Sequence, residues 1–351
     1  MNLATLLEQH GDGTVLAIGG VLIGLTFGFL AQRSRFCLRA AVLEFWGRSF
    51  GEKLSVWLFA FSSAVIAVQV LQLAGGLDVG NARQLSARGS ISGALMGGLI
   101  FGVGMVLTRG CASRLLVLSA NGNLRALLSG LIFAVAAQAS LGGMLSPVRV
   151  GISEWWTIDG GASRDLLAIV GVGHWGGLVA GLVWFAAALF FSWRNPERKV
   201  LQWLGGIGVG LTVAAGWWFS YQVSIASFEP IQIQSLTFSG PSAEWLMRVL
   251  AEPSRKIGFE FGLLPGVFAG SFLGAWYGKD LQIEGFKDGY SMTRYIAGAI
   301  LMGFGAMLAG GCAVGAGMTG GSIFALTAWL TLVGMWAGAG FIQQFVDKRA
   351  P

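Results

Sequence analysis

Residues 303–321 read GFGAMLAGGCAVGAGMTGG, and residues 102–112 read GVGMVLTRGCA. Aligned on their cysteines, the two stretches agree at Gly102/Gly303, Gly104/Gly305, Leu107/Leu308, Gly110/Gly311, Cys111/Cys312 and Ala112/Ala313. Each closes a short apolar run at a Gly-Cys pair. A polar, glycine-bearing stretch follows each, Ser119–Asn123 in the first and Gly317–Gly321 in the second. Backbone can leave the helical ladder inside a bilayer only where protein or a water-filled cavity shelters it. The two junctions therefore predict broken or re-entrant helices meeting at the centre of a membrane protein. A second match, GGVLIGLT at 19–26 against GGIGVGLT at 205–212, extends the likeness towards the start of each half.

Composition points the same way. Of 351 residues, 54% are apolar and 11% charged, against roughly 25% charged in soluble domains; mean hydropathy is +0.68. Glycine occurs 56 times without a three-residue period, and there are 7 prolines, so collagen is excluded. Gly262, Gly266, Gly270, Gly274 and Gly278 recur every fourth residue, as do Gly173, Gly177 and Gly181. Small residues at that spacing share a helix face and let backbones approach closely in lipid. A soluble enzyme, a nucleic-acid binder and a disordered chain are poor fits, and the net charge of +6 is dispersed around apolar runs.

Runs long enough to span a bilayer fall at about 14–31, 54–74, 91–108, 126–146, 165–192, 202–220, 257–277, 295–309 and 321–346. This predicts an all-α polytopic membrane protein of about nine helices, one integral domain over 1–351. The first half, about 14–192, has an odd number of spans, so the second, about 202–346, starts from the other side. The halves are expected to be inverted repeats. Residues 221–256 are expected to form an external loop with an interfacial helix near Ala243–Val249. Met1–Gly13 has no Lys or Arg, so no cleaved signal peptide is expected.

The basic residues give an orientation. With the C-terminus cytoplasmic, the inside segments hold Arg33, Arg35, Arg39, Arg48, Lys53, Arg109, Arg114, Arg125, Arg194, Arg198, Lys199, Lys279, Lys287, Arg294, Lys348 and Arg349. The outside segments hold Arg83, Arg88, Arg149, Arg164, Arg248, Arg255 and Lys256. The bias favours a cytoplasmic C-terminus and an external N-terminus.

Three cysteines, Cys37, Cys111 and Cys312, cannot all pair within the chain, and none belongs to a C-x-x-C. That speaks against a disulfide framework, a zinc cage and a dithiol oxidoreductase. One cysteine in an apolar helix is usually a small buried hydrophobe. Here Cys111 and Cys312 end matching spans, and Cys37 follows the charged break Gln32-Arg33-Ser34-Arg35-Phe36. All the cysteines thus lie at broken or re-entrant elements and none in a span interior, which speaks against three incidental buried hydrophobes.

QRSRFC at 32–37, GMVLTRGCASRLL at 104–116 and GFGAMLAGGCAVGAGMTGG at 303–321 resemble the YeeE/YedE family of sulfur-transport proteins, and the resemblance covers nearly the whole chain. It implies an hourglass-shaped inner-membrane transporter whose broken elements point to the centre. It also implies cysteines that relay thiosulfate through S–H···S hydrogen bonds, and a small cytoplasmic sulfurtransferase partner of the TusA/YeeD type. Arg109 and Arg114 depart from the Gly-Gly-Cys and Gly-Cys-Ala-Ser-Gly forms often found at the middle motif. Selenium-compound and sulfite carriers of the same family are the alternative substrates.

The chemistry stands beside the resemblance. Thiosulfate is a dianion with a soft terminal sulfur. Neutral thiols donate weak hydrogen bonds to it and let it slide, whereas a thiolate would repel it. Gly110 and Gly311 open the backbone beside the thiols. Arg109, Arg114, Arg33 and Arg35 offset charge towards the cytoplasmic mouth, their bland reading being positive-inside anchors. His174 and Glu260 are the candidate proton-coupling groups, although both fall near span ends. No cofactor or metal is expected, and no enzymatic role. A sulfurtransferase forming a cysteine persulfide would need an activated thiolate, for which no base stands nearby in sequence. A Cu(I)-type carrier would need Met- or His-rich clusters.

Overall fold

In a computed structural model the protein is described over residues 3–195, 199–251, 257–286 and 289–346. Arg198, Arg255, Lys256, Lys287, Lys348 and Arg349, which entered the orientation argument, lie outside the described residues. The helices are α1 (Leu3–His10), α2 (Asp12–Arg33), α3 (Leu38–Trp46), α4 (Glu52–Leu73), α5 (Arg83–Ser86), α6 (Ile91–Leu107), α7 (Ala112–Ala120) and α8 (Leu124–Gly142). They continue with α9 (Ser146–Glu154), α10 (Leu166–Val170), α11 (Gly173–Arg194), α12 (Val200–Ala226), α13 (Ser239–Leu250), α14 (Phe259–Gly278), α15 (Gly289–Ala309) and α16 (Leu326–Val346). A π-wound segment, Ala313–Gly320, lies between α15 and α16. One small antiparallel pair, Gly89–Ser90 with Thr157–Ile158, ties two surface loops together.

Among the described residues, nine helical stretches are long and apolar enough to cross a membrane. Three of them run through a break: Asp12–Trp46, Ile91–Ala120 and Ser291–Gly320. The short third and eighth runs of the sequence are thus the first parts of longer broken crossings. Several boundaries differ from expectation: the sixth crossing runs on to Ala226, into the stretch expected as external loop, and the ninth starts at Leu326. The fifth crossing starts at Gly173, because Gly171 turns left-handed (φ 74°) and closes α10 as a separate short helix. The eighth starts near 289, because Arg294 lies over the Tyr295 ring (5.5 Å to its centroid) and that ring is buried, so the polar head still coils.

Glycine contacts set the helix spacing. A Cβ on Gly262 would lie 1.9 Å from the Ala17 carbonyl oxygen, and one on Gly270 would lie 2.0 Å from that of Leu25. Facing them, Gly20, Gly24 and Gly28 meet the α14 backbone just as closely, so α2 and α14 touch main chain to main chain. Gly102 and Gly338 do the same between α6 and α16. The every-fourth-residue ladder at 262–278 is this contact surface.

The packing falls into matched pairs. As α14 lies along α2, α12 lies along α4; as α16 lies along α6, α8 lies along α15. The segment α7 rests on α8 and α14, and the π segment rests on α16 and α4. Likewise α3 packs on α4, α16 and α6, and α13 on α14, α8 and α15.

Candidate functional site

All three cysteines occupy the same local position. Each lies two residues after a left-handed residue: Arg35 (φ 54°) before Cys37, Arg109 (φ 58°) before Cys111, Gly310 (φ 78°) before Cys312. The helix before each break closes on itself in the same way. Phe36 N–H donates to Ala31 O, Gly110 N–H to Met105 O and Gly311 N–H to Ala306 O. This is the six-to-one closure of a Schellman stop. Each cysteine is then extended and serves as N-cap of the next segment, α3, α7 or the π segment.

Glycine takes the left-handed position without strain at 310; arginine takes it at 35 and 109 at a cost of about 1 kcal/mol each. Thr108 braces the middle break, its hydroxyl donating to Gly104 O at 2.9 Å and Gly110 O at 2.8 Å. Gly110 and Gly311 thus hold the residue between the stop and the cap, and both are buried.

An N-cap side chain faces the free N–H groups of the helix it begins. Cys312 Sγ accepts the Gly315 N–H at 3.5 Å. The sulfurs of Cys37 and Cys111 face the Ala40 and Arg114 N–H groups in the same i to i+3 relation, at looser range. Cys111 Sγ also meets Ser113 Oγ at 3.4 Å. Three helix N-termini, each carrying a partial positive charge, are therefore fronted by a thiol. Serine, threonine, aspartate and asparagine are the usual N-caps, so a capping search of the sequence passes over all three.

Cys37 and Cys111 lie within interacting reach of each other, with Arg114 beside both. The sequence set Cys37 apart from the Cys111/Cys312 pair; the fold makes it the neighbour of Cys111. The buried Arg114 Nη1 has no hydrogen-bond partner among the described residues. Arg35 and Asp280 complete its surroundings, and Asp280 is shared with Arg33 (4.0 Å) and Gln32 (3.4 Å). Arg109, by contrast, is exposed. Cys111 and Cys312 are each 1% exposed, and α7 touches the π segment.

The turns that end these segments are strapped. After α7, Gln282 N–H donates to Asn121 O and Leu124 N–H to Glu284 O, while Arg125 pairs with Glu284 at 3.4 Å. After the π segment, Leu166 N–H donates to Phe324 O. There the buried Arg164 donates to Ala87 O (2.5 Å) and Thr327 Oγ1 (2.7 Å). Burial, with Arg83 nearby, lowers the Arg164 pKa from its ordinary value. Gln69, fully buried, donates to Ser322 O at 2.9 Å and meets His174 Nδ1 at 3.2 Å. Neither Arg164 nor Gln69 announces itself in sequence, since each acts across more than a hundred residues.

His174 and Glu260 are kept apart. His174 lines a cavity of about 360 Å³ with Asp78, Asp165 and Tyr221. Glu260 lines another, of about 380 Å³, whose floor reaches Ala306 and Gly310 just before Cys312. Among the described residues, no group of three His, Cys, Asp or Glu side chains is placed to hold a metal ion.

Broken helices with thiols at their N-termini, set among nine candidate spans in the described residues, define a polytopic membrane protein with the broken-helix architecture of transporters. The chain belongs to the YeeE/YedE sulphur-transport family, which it matches over residues 33–341. It is 23% identical to the thiosulfate transporter TsuA of Escherichia coli K12, over 95% of this chain and 97% of that one. Against the thiosulfate transporter TsuA of Spirochaeta thermophila the identity is 27%, over 91% and 97%. A shorter stretch, 22% of the chain, is 35% identical to the probable transporter YedE of Salmonella typhimurium.

Proposed function

We propose that this protein carries a small sulfur dianion, thiosulfate foremost, inward across the bacterial inner membrane. The observation that carries the reading is the repeated arrangement of thiols at three half-helix N-termini. An anion passing these points meets partial positive charge from the helix ends and weak, neutral S–H donors suited to its terminal sulfur. Near-complete alignment with two proteins named as thiosulfate transporters supports the same substrate.

The pathway runs past Cys312, then Cys111 and Cys37, with Gly110 and Gly311 as the close-approach points and Arg114 offsetting charge beside the inner pair. Arg109 serves at the mouth. The matched packing supports two inverted repeats in one membrane domain: α2, α3, α4, α6, α7 and α8 exchange with α12, α13, α14, α15, the π segment and α16, and every contact above then has its image. The orientation remains that of the basic residues, with the C-terminus cytoplasmic and the N-terminus external.

Bringing a dianion in against about 100 mV, negative inside, costs about 4.6 kcal/mol. His174 and Glu260, the candidate coupling groups, line two separate cavities, and only that of Glu260 reaches a cysteine break, at Gly310, so the two do not form one coupling site. We therefore assign the inward pull to consumption of the anion by a TusA/YeeD-like sulfurtransferase at the basic inner mouth, near Arg109, Arg114 and Arg125. Uptake by the purified protein in liposomes, with thiosulfate, sulfite, sulfate and selenite compared side by side, tests the reading. Thiosulfate should lead; preferential selenite or sulfite uptake would reassign the substrate.

A further inference from the structure

The paired packing makes α13 the image of α3, the short helix that follows the Cys37 break. Cys111 and Cys312 are images of each other, whereas the image of Cys37 falls at the head of α13. There the pair Phe238-Ser239 resembles Phe36-Cys37, set one residue later against the helix, with Phe238 as N-cap of α13 and Ser239 as its first residue. Both phenylalanines pack on the same ring: Phe27 lies 6.4 Å from Phe36 and 5.3 Å from Phe238, centroid to centroid.

The residue before Phe238 reaches the third cysteine's own cap. A Cβ on Gly315 would lie 2.4 Å from Thr237 Oγ1 and 2.9 Å from Thr237 Cβ, and Gly315 is the residue whose N–H Cys312 accepts. Thr237 therefore stands at the head of the Cys312 segment much as Cys37 stands beside Cys111. Thr237 and Ser239 are two residues apart, and both line the cavity of about 380 Å³ that ends at Gly310. Neither hydroxyl has a hydrogen-bond partner among the described residues. The approach to them is fixed: Ser235 Oγ donates to Val213 O at 2.7 Å, and Thr319 Oγ1 donates to Leu236 O at 2.6 Å.

We propose that Thr237 and Ser239 form a hydroxyl station in this cavity that binds the oxygen face of a sulfur oxyanion and hands its terminal sulfur to Cys312. The inference rests on the transport reading above. Charge alone does not make the station, because the cavity wall sets Arg83 and Arg248 against Glu244 and Glu260. Discrimination falls to short-range donors. Hydroxyls are the stronger donors to oxyanion oxygens, and the Cys312 thiol the softer partner for sulfur, so the division of labour orients the anion with its sulfur leading.

The test uses labelled thiosulfate uptake by full-length protein in liposomes. Thr237→Val with Ser239→Ala removes both donors at nearly constant shape. Lost hydrogen bonds to a charged ligand should raise KM about tenfold with the maximal rate within about twofold, and Thr237→Ser should keep the wild-type KM. In a second arm, Thr237→Cys should react with a charged, membrane-impermeant methanethiosulfonate, and thiosulfate should slow that reaction. An unchanged KM in the double variant, or, should that variant fail to fold, labelling of Thr237→Cys that thiosulfate does not slow, overturns the station. Loss of uptake in Cys312→Ala beside an unchanged double variant would leave the transport reading intact. Full uptake by Cys312→Ala would instead remove the reading itself.

Discussion

Cys312 Sγ accepts the Gly315 N–H at 3.5 Å, so this thiol caps the helix that carries the polypeptide away from the break. Capping and transport can be separated by one pair of substitutions. Cys312→Ser keeps a cap and offers a better acceptor, whereas Cys312→Ala loses it at about 1 kcal/mol. Thermal unfolding in detergent should rank serine at or above wild type and alanine below. Uptake should fall strongly in both, because neither retains a soft donor. Wild-type uptake by Cys312→Ser would reduce the residue to a structural cap.

Helix contact at Gly262 gives the clearest stability prediction. A methyl there would sit 1.9 Å from the Ala17 carbonyl oxygen, backbone that cannot swing aside. Gly262→Ala should push α2 from α14 and cost about 1–3 kcal/mol. Gly258→Ala, one turn earlier and with nothing within 4 Å of the added methyl, is the control and should melt close to wild type.

Arg164 should behave as a clasp. It is 6% exposed and serves the carbonyls of Ala87 and Arg83 as well as Thr327. Arg164→Met leaves those acceptors unserved in a buried place, costing about 2 kcal/mol. Protease protection of the 157–170 loop should drop in the variant, and unchanged protection would show that the loop is held by other contacts.

The crossings were legible in sequence because each is a long apolar run, and the broken ones because Gly-Cys ends a run abruptly. Their exact starts were less so. Gly171 takes a left-handed turn that divides 166–194, and a composition window reads straight across it. Of the site, the cysteines and their glycines were visible, but the common local form was not. Glycine signals a left-handed stop at 310; the same stop at 35 and 109 is held by arginine, a residue type that rarely adopts it. The meeting of Cys37 with Cys111 depends on α3 packing back into the bundle, and no local pattern encodes such a contact. Thr237 and Ser239 were hidden for the same reason, in a stretch read as an external loop.

Orientation can be checked without purification. A reporter active only outside the cytoplasm should work when fused after Leu77 and be silent at Pro351. Activity at Pro351 would invert the bundle, place the Thr237 cavity on the cytoplasmic side and reverse the order of the cysteines along the path.

The central claim is that the anion passes the thiols at the helix breaks, and labelled thiosulfate uptake by the Cys111→Ala/Cys312→Ala protein in liposomes tests it most directly. With expression and folding near normal, uptake should fall to the level of protein-free vesicles. Full wild-type uptake by that double variant would contradict the account.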